Sequence, residues 1–272
     1  MVRISKTADI STINIASGLK TRSRMEQKAL DHPGYFHEYC FQQPLANFQW
    51  EMLECYMDAT RDPLKYSPML FLAPRNHGKT TIFAETVPLF RIGHNPNEQG
   101  QVVSSVDTLA KKRVKRVADC IQNSPRYRNL FGTLYPGPGS SNTWSPSGEA
   151  IEVQCDRVLG WEQSGGIDRD PTLVAFGILT SVEGGRANYQ VFDDIVNTRN
   201  SQSETQRMQV KQRFQMGFSP MLFPSGIQII IGTRYHYEDL YASLIPLLDD
   251  EKLYTDLYQI DIEKDALTPI EL

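Results

Sequence analysis

Cysteine is scarce in this chain, and the cysteines present are scattered. Cys40, Cys55, Cys120 and Cys155 are the 4 in 272 residues, none in a C-x-x-C pair, and the 5 histidines form no H-x-x-x-H set. This spacing provides neither a zinc ligand set nor a disulfide framework. Cys120 and Cys155 fall on apolar segments and read as core residues. The N-terminus, M-V-R-I-S-K-T-A-D-I-S-T, lacks the apolar stretch of a signal peptide, and no apolar run reaches the roughly 20 residues that cross a bilayer. A reducing cytoplasm is the expected setting. An excess of positive charge is lacking too: 28 Lys and Arg stand against 32 Asp and Glu, a net −4, so contact with nucleic acid would require a local basic surface. Hydrophobic, charged and aromatic residues at 40%, 22% and 10% match ordinary globular usage, which excludes wholesale disorder and fibres. The length suits one large α/β domain or two small ones, and no internal repeat is visible.

Residues 1–46 mix polar runs with isolated apolar residues. Arg3, Lys6, Lys20, Arg22, Arg24 and Lys28 outnumber Asp9 and Glu26, so this segment reads as a loosely ordered basic arm. Phe48, Met52, Leu53 and Met57 then fall at helical spacing up to Arg61-Asp62-Pro63. Met69 to Ala73 is an apolar run short enough for a strand buried on both faces. A helix should open at Gly78 and Lys79 and run until Pro88 disturbs it. Gln101 to Val106 reads as a strand, and Asp107 as the N-cap of a helix up to Asn123. In that segment Val106, Ala110, Val114, Val117 and Ile121 share one face, while Lys111, Lys112, Arg113, Lys115 and Arg116 occupy the others. Such a charged row is usually solvated, though it has the chemistry to meet DNA phosphates. Residues 135–148, rich in Pro, Gly and Ser, read as a loop. Further strands are expected at 150–153, 174–179, 189–192 and 227–231, and helices around 203–218 and 237–247. Alternation of this kind implies a mainly parallel sheet covered on both faces. Residues 251–272 read as an acidic edge or the start of a linker, and 47–250 as the one α/β domain.

The chemistry concentrates at two places. The strand at Met69 to Ala73 runs into A-P-R-N-H-G-K-T and then into a helix, matching G-x-x-x-x-G-K-[ST] except that Ala73 replaces the first glycine. Gly78 lets the backbone wrap phosphates, and the helix N-terminus attracts anions. Lys79, read as lying in a solvent-facing loop, can reach the β and γ phosphates, and the Thr80 hydroxyl can ligate Mg²⁺. Downstream, Y-Q-V-F-D-D-I-V supplies an acidic pair after an apolar run. Asp193 is the candidate metal-side carboxylate and Asp194 the candidate general base. A strand cap is the other reading of that pair.

With these motifs in order, the chain resembles the ATPase domain of the large terminase subunit, the motor that packages DNA into tailed-phage heads. Arg75-Asn76-His77-Gly78-Lys79-Thr80 is similar to the family's R-x-x-G-K-[ST]. S-S-V-D-T-L-A-K-K-R with N-S-P-R-Y-R-N-L-F-G resembles its next helix and turn, and I-I-I-G-T-R-Y-H-Y-E-D-L resembles its third motif. The resemblance spans about residues 48–247. It implies a RecA-like (ASCE) P-loop NTPase fold that uses ATP and Mg²⁺. ATP would be held by Arg75, Asn76, His77, Gly78, Lys79, Thr80 and Thr81, with Lys79 and Arg75 acting on the phosphates and Thr80 and Asp193 on the metal. It further implies Thr233 as the γ-phosphate sensor that couples hydrolysis to movement. Gln49 matches the position of an adenine-reading residue, or is a surface polar on its helix. Arg186, in E-G-G-R-A-N-Y, looks like the arginine finger acting on a neighbouring subunit, or is a solvated loop arginine.

Two departures stand out. Asp194 replaces the family's usual Glu and is one methylene shorter. The chain also ends before the metal-dependent nuclease domain of many family members could fit, so no nuclease activity is expected of it. The implied partners are double-stranded DNA, the portal protein, the small terminase subunit and copies of the chain in a ring, with no membrane, in the cytoplasm of an infected bacterium. Other readings stay open. One is a DNA-stimulated P-loop ATPase such as a helicase-like translocase, for which a second lobe would be needed; the other is a structural protein that binds nucleotide without turnover.

Overall fold

The computed structural model describes residues 22–136, 147–155, 170–180, 182, 185–248, 257–261 and 266–269. In chain order these form α1 (Arg24–Asp31), α2 (Pro33–Phe41), α3 (Asn47–Arg61), the single turn α4 (Pro63–Tyr66) and β1 (Met69–Leu72). A π-helix (Thr81–Thr86) then leads into α5 (Val87–His94), β2 (Gly100–Ser104), α6 (Asp107–Asn123) and α7 (Pro125–Phe131). The short strands β3 (Tyr135–Pro136), β4 (Ala150–Ile151) and β5 (Val153–Gln154) follow, then β6 (Leu173–Gly177), β7 (Ala187–Asp193) and α8 (Glu204–Gln212). A second π-helix (Arg213–Phe218) precedes β8 (Leu222–Gly232), α9 (Leu240–Leu248), β9 (Leu257–Asp261) and β10 (Ala266–Pro269).

Eight strands form one sheet in the order β10-β9-β1-β8-β7-β2-β6-β4. The six inner strands are parallel, and β10 and β4 close the edges antiparallel. The inner strands read as continuous apolar runs because both sheet faces are covered. Side chains alternate along each strand, so Met69, Phe71, Val102, Val191, Ile229 and Ile231 enter one core with α1–α3 and α5–α7. Leu70, Val103, Phe192 and Ile230 enter a second core beneath α8, its π-helix and α9. The result is a three-layer α/β fold in which β8 lies between the phosphate-loop strand β1 and the acidic strand β7. That insertion is the RecA-like order. No helix among the described residues is long and apolar enough to cross a membrane.

Several segments differ from their sequence reading. Within the expected basic arm, residues 22–46 carry α1 and α2, opened by a Ser23–Glu26 capping box and anchored by buried Ala29 and Phe36. Apolar contact outweighs the local charge bias there. Residues 1–21 of the arm lie outside the described residues. Pro88 does not break its helix. Val87 N–H bonds back five residues to Ile82 C=O, and the π-turn absorbs the proline's missing donor in the first turn of α5. Asp107 is the first helical residue rather than the cap, and its carboxylate accepts from Gly177 N–H at 3.0 Å. Within the expected 135–148 loop, Tyr135–Pro136 pairs with β5, while 137–146 fall outside the described residues. Beyond position 250, β9 joins β1 in parallel and β10 forms an edge, so the sheet extends past the expected domain limit. Three buried glutamines cross the sheet: Gln190 Nε2 donates to Gln101 Oε1 (2.9 Å) and to Phe218 C=O (2.7 Å), and Gln228 Nε2 donates to Gln190 Oε1 (2.9 Å). Each amide there satisfies its neighbour.

His37 links α2 to the first π-helix. Its Nδ1 lies 2.8 Å from Thr86 Oγ1, and burial pushes its pKa down to about 4. The unfolded chain therefore takes up a proton at this position below about pH 6.5, where native His37 stays neutral, so the stability it contributes is present above pH 6.5 and lost as pH falls towards 4. Between pH 7.5 and pH 5 the loss is about 2 kcal/mol. His37→Gln should shrink the pH-dependent loss of unfolding free energy by about that amount, as read by urea melts at the two pH values.

Candidate nucleotide-binding site

Because β1, β8 and β7 are parallel, Ala73, Thr233 and the Asp193–Asp194 pair all emerge at the carboxyl edge of the sheet, where open α/β sheets bind ligands. The loop from Ala73 to Thr80 turns through two left-handed residues, Asn76 (φ 65°) and Gly78 (φ 75°). The positive φ is what favours glycine at 78; a Cβ there would in addition lie 2.5 Å from Gln49 Nε2 and push the end of that side chain aside. The helix then opens at Lys79 and Thr80 with Thr81 at the start of the π-turn.

Lys79 is not solvent-facing, being only 4% exposed. Its ammonium donates to Ala73 C=O (2.6 Å), Pro74 C=O (3.1 Å) and Thr233 Oγ1 (3.3 Å), and burial lowers its pKa despite the nearby carboxylates. Thr233 in turn donates to Ala73 C=O at 3.0 Å. Thr80 Oγ1 donates to Asp193 Oδ1 at 2.6 Å. Asp193 is buried, and its pKa is pushed up to about 6, chiefly by that burial. Asp194 adopts a left-handed backbone (φ 47°) fixed by its N–H to Ile231 C=O (3.0 Å), and its Oδ1 is buried with no hydrogen-bond partner. A strained backbone and an orphaned acceptor at one residue mark a position shaped for something other than packing.

The residues from Ile229 to Leu240 fold locally for clear reasons. Gly232 allows the Tyr241 ring to sit against the backbone at the end of β8. Buried Asp239 gathers the Tyr235 N–H (3.1 Å), the His236 N–H (3.3 Å) and the Ala242 N–H (3.1 Å), holding the turn that opens α9. Exposed Arg75 donates to the Tyr235 hydroxyl and lies over its ring, 5.5 Å from the centroid. His77 Nδ1 is 2.9 Å from Arg75 C=O.

Lys79, Thr80, Asp193, Asp194, Thr233 and Arg75 thus share one edge of the sheet. Two other candidates are placed differently. Gln49 is held at both ends, its Oε1 accepting from Ala46 N–H (3.0 Å) and its Nε2 donating to His77 C=O (3.0 Å), so it ties α3 to the phosphate loop. A base-reading role would have to share those groups. Arg186 precedes the first residue of β7 whereas Asp193 is its last, and seven residues of strand, about 23 Å, separate them. Arg186 therefore lies at the opposite rim from this chain's own site; its N–H donates to Asp170 Oδ2 at 3.1 Å. The sequence assigns Glu85, Ser104 and Tyr235 no individual role and places Arg113 in a solvated or DNA-facing row rather than against Glu85 and Asp193. Buried Glu85 accepts from Arg113 (3.2 Å) and Arg116 (2.9 Å), and Lys111 pairs with Asp107 (2.8 Å) and Glu149 (2.7 Å), so most of the basic row is not simply solvated. A lone charged residue in the helical segment T-I-F-A-E-T is the available signal for the first of these.

The donor set fits Mg²⁺. Thr80 and Asp193 offer hard oxygen ligands, and no cluster of three His, Cys, Asp or Glu among the described residues competes as a full protein cage. That is the ligand economy of a Mg²⁺ completed by water and substrate phosphates.

No protein-family model matches the chain, and no curated protein does. Among solved structures it is similar to a S. cerevisiae Dbp5 variant bound to Nup159, a Gle1 variant, IP6 and ADP, with a TM-score of 0.45, 12% identity, and coverage of 89% of this chain and 54% of that one. It is also similar to a S. cerevisiae Dbp5 variant bound to a Gle1 variant and IP6, with a TM-score of 0.45, 10% identity, and coverage of 88% and 51%. The chain spans about half the length of these structures. The strand order and the phosphate loop define a RecA-like P-loop fold.

Proposed function

We propose that this domain hydrolyses Mg²⁺·ATP to ADP and phosphate and couples the reaction to movement along nucleic acid. The observation that supports it most is the convergence of Lys79, Thr80, Asp193 and Thr233, joined by hydrogen bonds of 2.6 to 3.3 Å at the carboxyl edge of the sheet. The loop amides after Gly78 and the Lys79 ammonium bind the phosphate chain, the lysine exchanging carbonyl acceptors for phosphate oxygens. Thr80 and Asp193 would hold Mg²⁺, which supplies charge neutralisation at the phosphates when bound. Asp194 presents its unpartnered Oδ1 to orient the attacking water and accept its proton. Thr233, hydrogen-bonded to the same lysine, registers loss of the γ-phosphate and passes it through the Tyr235–Asp239 turn to α9.

The motif order favours the packaging-motor reading, with double-stranded DNA as track and portal protein, small terminase subunit and further copies of the chain as partners. In that reading Arg186 acts across a subunit boundary, in keeping with its distance from its own site. A helicase-like translocase is the second reading, since the RecA-like order serves both. Phosphate release measured with double-stranded DNA, single-stranded DNA and RNA in parallel separates them. The motor reading predicts stimulation by the duplex, and preferential stimulation by single strands would favour the helicase-like one. Thr233→Ala should retain nucleotide binding, lower basal turnover about tenfold, the loss of roughly one hydrogen bond, and abolish polynucleotide stimulation in the same assay.

A further inference from the structure

α6 brings a second cation to the acidic end of the site. Arg113 Nε lies 3.5 Å from Asp193 Oδ2, the carboxylate oxygen that Thr80 does not use, while its Nη1 reaches Glu85 Oε1 at 3.2 Å. Arg116 Nη1 holds the same Glu85 oxygen at 2.9 Å. Glu85 sits on the π-helix that follows the phosphate loop, and both carboxylates are almost wholly buried. Arg113 Nε is itself buried with no hydrogen-bond partner, its approach to Asp193 being an ion pair only. Ser104, opposite Asp193 in the register of β2 and β7, likewise has a buried Oγ without a partner.

A buried carboxylate is costly when ionised unless a cation compensates it. Arg113 supplies that cation to Asp193 and has an alternative anion, Glu85, already within reach. We propose that Arg113 is a tethered counter-ion that competes with a divalent cation for the Asp193 carboxylate, with Glu85 in reach to receive it when Mg²⁺ claims that carboxylate, so that α6 and the π-helix respond to metal binding. This rests on the reading of Asp193 as the metal carboxylate. Two cations sharing one carboxylate repel each other, so Arg113 opposes metal entry as well as compensating the buried Asp193 carboxylate. A purely structural arginine would do neither.

The test is Mn²⁺ binding to the full chain in the presence of ADP, read from the electron paramagnetic resonance signal of free Mn²⁺, with no turnover involved. Arg113→Met should bind Mn²⁺ about tenfold more tightly than the unaltered chain, because the competing charge is gone. Arg113→Lys, which keeps the charge, should stay close to the original affinity. If the methionine variant does not fold, Arg113→Gln carries the same prediction, since its amide retains donors for the two carboxylates. Asp193→Asn should weaken Mn²⁺ binding in every background. Unchanged or weaker binding in Arg113→Met or Arg113→Gln, alongside weakened binding in Asp193→Asn, would overturn the counter-ion role and leave the site reading standing. Unchanged binding in Asp193→Asn would overturn both.

Discussion

Lys79→Ala is expected to lower ATP turnover by about 10²–10³-fold or more, the scale on which loss of a preorganised donor to the reacting phosphate is felt. The same change should cost the fold little. Lys79 is a desolvated ammonium whose burial already disfavours its charged form; without it the buried Ala73 carbonyl keeps the Thr233 hydroxyl as donor, and the carbonyl of exposed Pro74 is open to water. Thermal unfolding within a few degrees of the original chain, together with the collapse in phosphate release, separates a chemical role from a structural one. A variant that turned over ATP at near the original rate would remove the phosphate-loop reading.

The second large effect divides the acidic pair. Asp194→Asn should leave Mg²⁺·ADP affinity nearly unchanged and lower turnover by about 10²–10³-fold, because the amide cannot accept the proton of the attacking water. Asp193→Asn should instead lose Mg²⁺-dependent nucleotide binding, since its carboxylate is hydrogen-bonded to Thr80 and carries the only charge the pair brings to that ligand set. Calorimetry with ADP at fixed Mg²⁺, followed by phosphate release at saturating nucleotide, distinguishes the two. Equal loss of binding in both variants would contradict the division. Asp194→Glu adds a methylene to a residue held in a left-handed conformation, so a retained rate would show that the strand end tolerates the longer arm.

Much of this site was legible in the sequence because its determinants are local. An apolar strand, a Gly-Lys-Thr turn and an acidic pair closing a second apolar strand are each written in consecutive residues, and parallel pairing brings their ends together. What escaped is what depends on contacts distant in sequence. Glu85, Arg113 and Asp193 are separated by 28 and 80 positions yet meet in one ion-pair cluster, and a charged row on α6 gives no local hint of which members turn inwards. Gln101, Gln190 and Gln228 look like polar interruptions of three strands until their register aligns them. The basic character of residues 22–46 hid α1 and α2 because Ala29 and Phe36 are buried by α3, α5 and α7, partners that no local pattern reveals. The motif alone gives Lys79 no burial, since its donation to the Ala73 and Pro74 carbonyls is a feature of the loop's three-dimensional closure.

The central claim is that Lys79, Thr80 and Asp193 form a Mg²⁺-dependent nucleotide phosphate site. Its most direct test is isothermal titration of a non-hydrolysable ATP analogue into the chain, with and without Mg²⁺, beside the Lys79→Ala and Asp193→Asn variants. The account predicts one site per chain, strengthened by Mg²⁺, lost in Lys79→Ala and no longer strengthened by Mg²⁺ in Asp193→Asn. Absence of binding, or binding that both variants leave unchanged, would contradict it.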